Sequence, residues 1–145
     1  MFKDEITVTG KLNVILVDQM GLVKEEHEFD NLVVTAGKGY IASRMKDATA
    51  TAMSHMAIGT GTTAAAASQT ALVTEANRQA LTSTSVSGAA VTYSATFGAG
   101  NGTGAITEAG LFNASSGGTM LCRTVFSVIN KGAVSYTHLR AHETR

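Results

Sequence analysis

The sequence predicts a mainly β protein: an antiparallel β-sandwich with an N-terminal hairpin and one short helix. Three observations predict it. Apolar residues alternate with period two in several short runs, and Gly-containing turns separate those runs at close spacing. The composition is apolar yet weakly charged, with 44% hydrophobic residues, 15% charged residues and 15 Gly. That balance is too apolar for a disordered chain and too poor in charge for a coiled coil. A chain of 145 residues is most simply one domain. Its hairpin and helix occupy 1–50 and its sandwich core 51–133.

The elements follow in order. Residues 5–17, "EITVTGKLNVILV", place Ile6, Val8, Leu12, Val14 and Leu16 on alternating positions, with Gly10 read as a bulge. "DQMG" is a turn, and "LVKEEHEF" returns as a strand with one charged face. "NLVV" at 31–34 is a short strand or connection. At Thr35 the pattern changes. Tyr40, Ile41 and Met45 fall on one helical stripe, Thr35 can cap it, and Lys46 suits its end. The helix is therefore set at 36–46. "DATATAMS" links it to the short strand "HMAIG". Residues 59–70 form a low-complexity loop, and 71–79 fit a short helix or a strand. Four further strands, "ALTSTSVSG", "AVTYSATFG", "AITEAGLFN" and "TMLCRTVFSVI", are separated by turns at 87–90, 98–104 and 115–118.

Charge and motifs exclude more than they nominate. Formal net charge is zero, so no general basic field attracts nucleic acid or an anionic membrane. No apolar run approaches membrane-spanning length, and "MFKDEITVTG" lacks the apolar core of a signal peptide. A chain made and assembled in the cytoplasm is the expectation. The one cysteine, Cys122, excludes an intrachain disulfide framework. Cys122 reads as a buried thiol, because a catalytic cysteine needs a base and none is nominated. "GTGTT" lacks the lysine of a P-loop and reads as a flexible connection. His27 sits among Glu25, Glu26 and Glu28 on a solvated face, and His55 reads as a partly buried residue with a local hydrogen bond. No catalytic, cofactor-binding or metal-binding residue is assigned, and no enzyme is expected. Glu75, Arg78, Glu108 and Arg123 are charges in otherwise neutral segments. They read as structural or intersubunit ion pairs, which fix geometry more than they add stability.

"HMAIGTGTT", "TALVTEANRQ", "VTYSATF" and "GTGAITEAGLFNASSGGTMLCRTVF" together resemble small virion structural proteins of tailed bacteriophages, and more distantly the tail-collar domains of phage tail fibres. Residues 55–128 carry the resemblance, with "NLVVTAGKGYIASRM" at 31–45 as a further match. The resemblance implies a β-sandwich that assembles with copies of itself, often as a homotrimer, and with other tail or capsid proteins. It implies no catalysis, no nucleic acid and no membrane. Glu75, Arg78 and Glu108 match its charged positions, and Leu111 and Phe112 its apolar pair; with Arg123 these are the candidate structural or interface residues. A tail-fibre or collar-type component is the favoured reading. A capsid decoration protein is the alternative, and a small carbohydrate-binding β-sandwich a further one, disfavoured by the absence of Trp.

In that family a final strand of alternating apolar residues follows "VINKGA". Here "VSYTHLRAHETR" stands in its place and resembles a translated sequencing-adapter tail. Residues 134–145 are therefore expected to be a non-native, poorly packed tail that leaves the core with an open edge.

Overall fold

A computed structural model describes residues 7–144. It has nine strands and one helix: β1 (Thr9–Val17), β2 (Val23–Val33), α1 (Thr35–Lys46), β3 (His55–Gly59), β4 (Glu75–Ala80), β5 (Ser83–Ser87), β6 (Ala90–Phe97), β7 (Gly104–Phe112), β8 (Met120–Lys131) and β9 (Tyr136–Thr144). All strand pairs are antiparallel, in the order β4-β3-β7-β8-β2-β1-β9-β6-β5. The expected mainly β architecture with one helix is the one observed. Ile6 lies outside the described residues.

The sheet curls into two layers that share β2. Residues 23–31 of β2 pair with β1, while Leu32 and Val33 pair with Arg123 and Cys122 of β8. A strand that passes from one sheet to the other is how orthogonal sandwiches turn their corners. The space between layers is filled by inward side chains, among them Leu12, Val14, Leu16, Tyr93, Phe97 and Leu139 from one half and Met56, Ile58, Ile106, Leu111 and Phe126 from the other. A second, smaller core of Val34, Ala57, Leu72, Phe112 and Met120 lies on the outer face of the second half. That face is covered, so β7 is buried on both sides from Ile106 onward.

Several local expectations are corrected. Gly10 is no bulge: it pairs in register with Asn31 and Glu143, and the irregularity in β1 falls at Leu16/Val17. Glycine is needed at position 10 because a Cβ there would collide with the side chains of Asn31 and Glu143. "LVKEEHEF" and "NLVV" belong to a single strand, β2. Val34 occupies the helix N-cap and makes no side-chain cap, so Thr35 is the first helical residue instead. Tyr40 and Ile41 pack on the core, but Met45 is 66% exposed. Gly37 is the buried residue of α1, and a Cβ there would strike the Leu121 backbone carbonyl. The glycine that weakens the helix in sequence is thus what lets it lie against β8. Residues 71–79 resolve as a strand, β4.

The largest departure is at the C-terminal end. Residues 136–144 are not poorly packed: they form β9, inserted between β1 and β6 and registered with both. Thr137, Leu139, Ala141 and Glu143 point inward, and Leu139 and Ala141 are each 2% exposed. Every second residue from 137 to 141 is small or aliphatic, and that alternation is sufficient for a strand buried on one face. In the strand order β9 lies between β1 and β6 and does not pair with β8.

Candidate functional site

The candidate residues gather into two polar constructions on the second half of the sheet. The first is built on adjacent strands. Glu108 of β7 and Arg123 of β8 project from the outer face beneath the 59–74 segment, and both are completely buried. Arg123 Nη2 and Nε donate to Glu108 Oε2 at 2.8 and 3.0 Å. The same oxygen accepts from the Val73 amide at 3.0 Å, and Oε1 accepts from the amides of Thr74 at 2.7 Å and Gly61 at 3.0 Å. Arg123 Nη1 donates to the Thr63 carbonyl and to Gln69 Oε1, each at 2.9 Å. Burial pushes the Glu108 carboxyl up. The Thr74 amide, the Arg123 guanidinium and the amides of Val73 and Gly61 outweigh that and hold it below its ordinary value of 4.5.

This pair therefore organises a loop. "GTGTT" reads from sequence as a flexible connection, yet its backbone is pinned at Gly61 and Thr63, and Thr107 Oγ1 donates to the Gly61 carbonyl at 2.8 Å. A Cβ at Gly59 or Gly61 would crowd the Glu108 carboxylate. Glycine is needed at 59 and 61 because the backbone there approaches the charged pair closely. Every carboxylate oxygen of Glu108 is occupied by donors, so the arrangement holds geometry and offers no free base.

The second construction is a clamp at the sheet edge. Arg78 of β4 donates to Glu75 through Nε at 3.1 Å and Nη2 at 2.6 Å, and its Nη1 reaches the carbonyls of Ala114 and Gly117, both at 2.9 Å. Its guanidinium lies 3.8 Å from the centroid of the Phe112 ring. One arginine thus fastens the Gly-rich β7–β8 turn to the edge strand, combining a forked ion pair with a cation–π contact. Leu111 enters the main core and Phe112 the smaller one. The structure brings Glu75, Arg78 and Phe112 together, and Glu108 with Arg123. In the single chain the contacts of all six residues are internal.

Two further buried charges carry no local signal in the sequence, Lys131 and Glu143. Lys131 is 2% exposed, and its Nζ donates to the carbonyls of Gly98 and Ser135 at 2.9 and 2.7 Å. Burial lowers its pKa. Glu143 is buried with no cation beside it among the described residues: its Oε1 accepts from Asn31 Nδ2 at 2.7 Å and from the Cys122 thiol at 3.4 Å. Burial raises its pKa, against those two hydrogen bonds. Extended alternation along β8 and β9 is the signal that places Lys131 and Glu143 inward. His27 stacks on Phe29, which stacks on Phe126, and His55 bonds Ser54 at 2.8 Å. His138 and His142 face solvent from β9, paired with Thr96 and Thr92. Among the described residues no group of three or more His, Cys, Asp or Glu could hold a metal ion. Among them also, no helix is long and apolar enough to cross a membrane.

A curled β-sandwich whose charged residues fasten loops and turns defines a structural β module. The family model described as "Phage tail-collar fibre protein, N-terminal" matches residues 26–134, and the chain belongs to that family. No curated protein and no solved structure matches the chain significantly. The match spans β2 to β8 and takes in both polar constructions. The chain is a structural protein of the phage virion, of the tail-fibre and collar kind.

Proposed function

We propose that the chain acts as a building block of the tail fibre or collar, associating with copies of itself as a trimer and attaching to other virion proteins. Assembly takes place in the cytoplasm of the host bacterium. The family match carries this reading, and the surface supports it. β5 is an edge strand exposed along its whole length and bears no charge, "STSVS". Uncharged open edges invite pairing, and natural proteins guard those that must stay free. The opposite edge, β4, carries the Glu75–Arg78 clamp. Beside β5 runs a largely apolar groove lined by Tyr40, Ile41, Met45, Val86 and Val91, with Val86 72% exposed. A second copy fits this groove because copies bring the same uncharged strand and the same apolar side chains.

Residues 134–145 barely overlap the family match, which stops at 134. We read them as a non-native tail, and sequencing the 3′ end of the gene from phage particles tests that directly. Sedimentation velocity across a concentration series tests self-association. A trimer that dissociates on Val86→Asp, with unchanged circular dichroism, is expected. A monomer at every concentration would refute the reading.

A further inference from the structure

The turn between β6 and β7 holds a reactive pair of residues beside a buried cation. Asn101 is the chain's only asparagine followed by glycine. Its carboxamide makes no hydrogen bond among the described residues, and the Gly102 amide donates to none of them. Gly102 is buried, and buried backbone amides are nearly always paired. The nitrogen and the carboxamide carbon that can react with each other are thus both unrestrained, and glycine offers no Cβ to hinder them.

Lys131 reaches the same turn. Its Nζ donates to the Gly98 carbonyl at 2.9 Å, and the Asn101 amide donates to that same oxygen at 3.1 Å. Lys131 is 2% exposed and pairs with no carboxylate among the described residues. Its other partner, the Ser135 carbonyl, belongs to the segment read as non-native. A buried charge without a counter-charge is costly.

We propose that Asn101 is a self-modification site whose product pairs with Lys131. The Gly102 nitrogen bonds to Asn101 Cγ, the Cγ–Nδ2 bond breaks, and ammonia leaves with the Gly102 proton. Water then opens the cyclic imide at either carbonyl. Both openings leave one carboxylate at position 101, close to the Lys131 ammonium. Negative charge develops on the attacking nitrogen and the tetrahedral centre as the ring closes, so a neighbouring cation lowers that barrier. The turn therefore gains an ion pair as the protein ages, with water as the only co-reactant.

The full chain, incubated in mildly alkaline buffer and mapped by fragmentation mass spectrometry, tests this. Asn101 is expected to convert at least as fast in the folded chain as in urea, while the five other asparagines lag. The product should contain both aspartate and isoaspartate, the mark of the imide. Lys131→Met should slow conversion roughly tenfold in the folded chain and leave the rate in urea unchanged. A role confined to holding the turn would give the opposite sign, because a loosened turn reacts faster. Asn101→Asp should raise the melting temperature by about 2–6 °C in the wild-type background and not beside Lys131→Met. The proposal is overturned by an Asn101 that survives folding while the urea sample converts. Faster conversion in Lys131→Met overturns it too, as does an equal melting shift in both backgrounds. The comparison of folded chain with urea needs no variant, so it stands even where Lys131→Met fails to fold.

Discussion

Replacing Glu108 by Gln tests whether the buried pair holds the loop. The substitution keeps the shape and removes the charge. It leaves Arg123, which is 0% exposed, with no counter-charge. It also turns an amide NH2 towards backbone donors, since both carboxylate oxygens now accept N–H groups from Gly61, Val73 and Thr74. Breaking a buried ion pair on one side costs about 3–5 kcal/mol. Total stability for a domain is on the order of 5–15 kcal/mol, so the loss is a large share. Urea unfolding should show it as a lower midpoint at unchanged slope, with a melting temperature lower by roughly 10–15 °C. Glu108→Leu with Arg123→Leu restores charge balance but strands three amides and the Thr63 carbonyl. It should therefore recover part of the loss and no more. Acid carries the same signature. The folded-state pKa of Glu108 lies below its unfolded 4.5. Its contribution is therefore complete above 4.5 and disappears as pH falls through the folded value. The difference between wild type and Glu108→Gln should shrink over that acid window. Taking the difference also removes the opposite trend from Glu143, whose raised pKa erodes stability as pH climbs above 4.5. A loss under about 1 kcal/mol, the range of an exposed pair, would refute the reasoning.

Three further outcomes follow from particular contacts. Gly37→Ala should destabilise by about 1–3 kcal/mol, although alanine favours helices, because its Cβ meets the Leu121 carbonyl; thermal melts check it, and Gly39→Ala, with open space around it, is the control that should stabilise. Arg78→Lys should cost about 1–2 kcal/mol and raise hydrogen exchange in the 113–119 turn, since an ammonium cannot reproduce the fork to Glu75 and the two carbonyls. Cys122 should react with a thiol reagent only at the rate of unfolding, because it is buried and its pKa is raised well above 9.0 by burial and by Glu143; rapid labelling of the native chain would contradict its placement.

Alternation and turn chemistry made most strands legible. The runs that became β6, β7 and β8 were visible because one face of each is apolar and glycines end them. β4 stayed ambiguous because "EANRQA" has no apolar face: its place is fixed by pairing with β3 and by the Arg78 clamp. β9 is hard to read for a related reason, since its inward set of Thr, Leu, Ala and Glu is weakly apolar and its outward histidines and arginine dominate the composition. In the candidate site, the isolated charges Glu75, Arg78, Glu108 and Arg123 could be recognised as odd in neutral surroundings. Their pairing could not, because Glu108 and Arg123 meet only through strand register. The role of Gly61 was hidden too, since nothing local reveals a carboxylate forty-seven positions away in the chain.

The passage of β2 between the two layers has a mechanical consequence. Along the ladder the halves are stitched by Leu32 and Val33, continued by the Val34 amide on the Leu121 carbonyl at 3.2 Å, against eight registered pairs between β1 and β2. Under tension or torsion, strain concentrates at the narrowest seam. The shared core holds the layers face to face, so within the strand ladder the Leu32–Val33 seam is where parting of the halves is expected to begin.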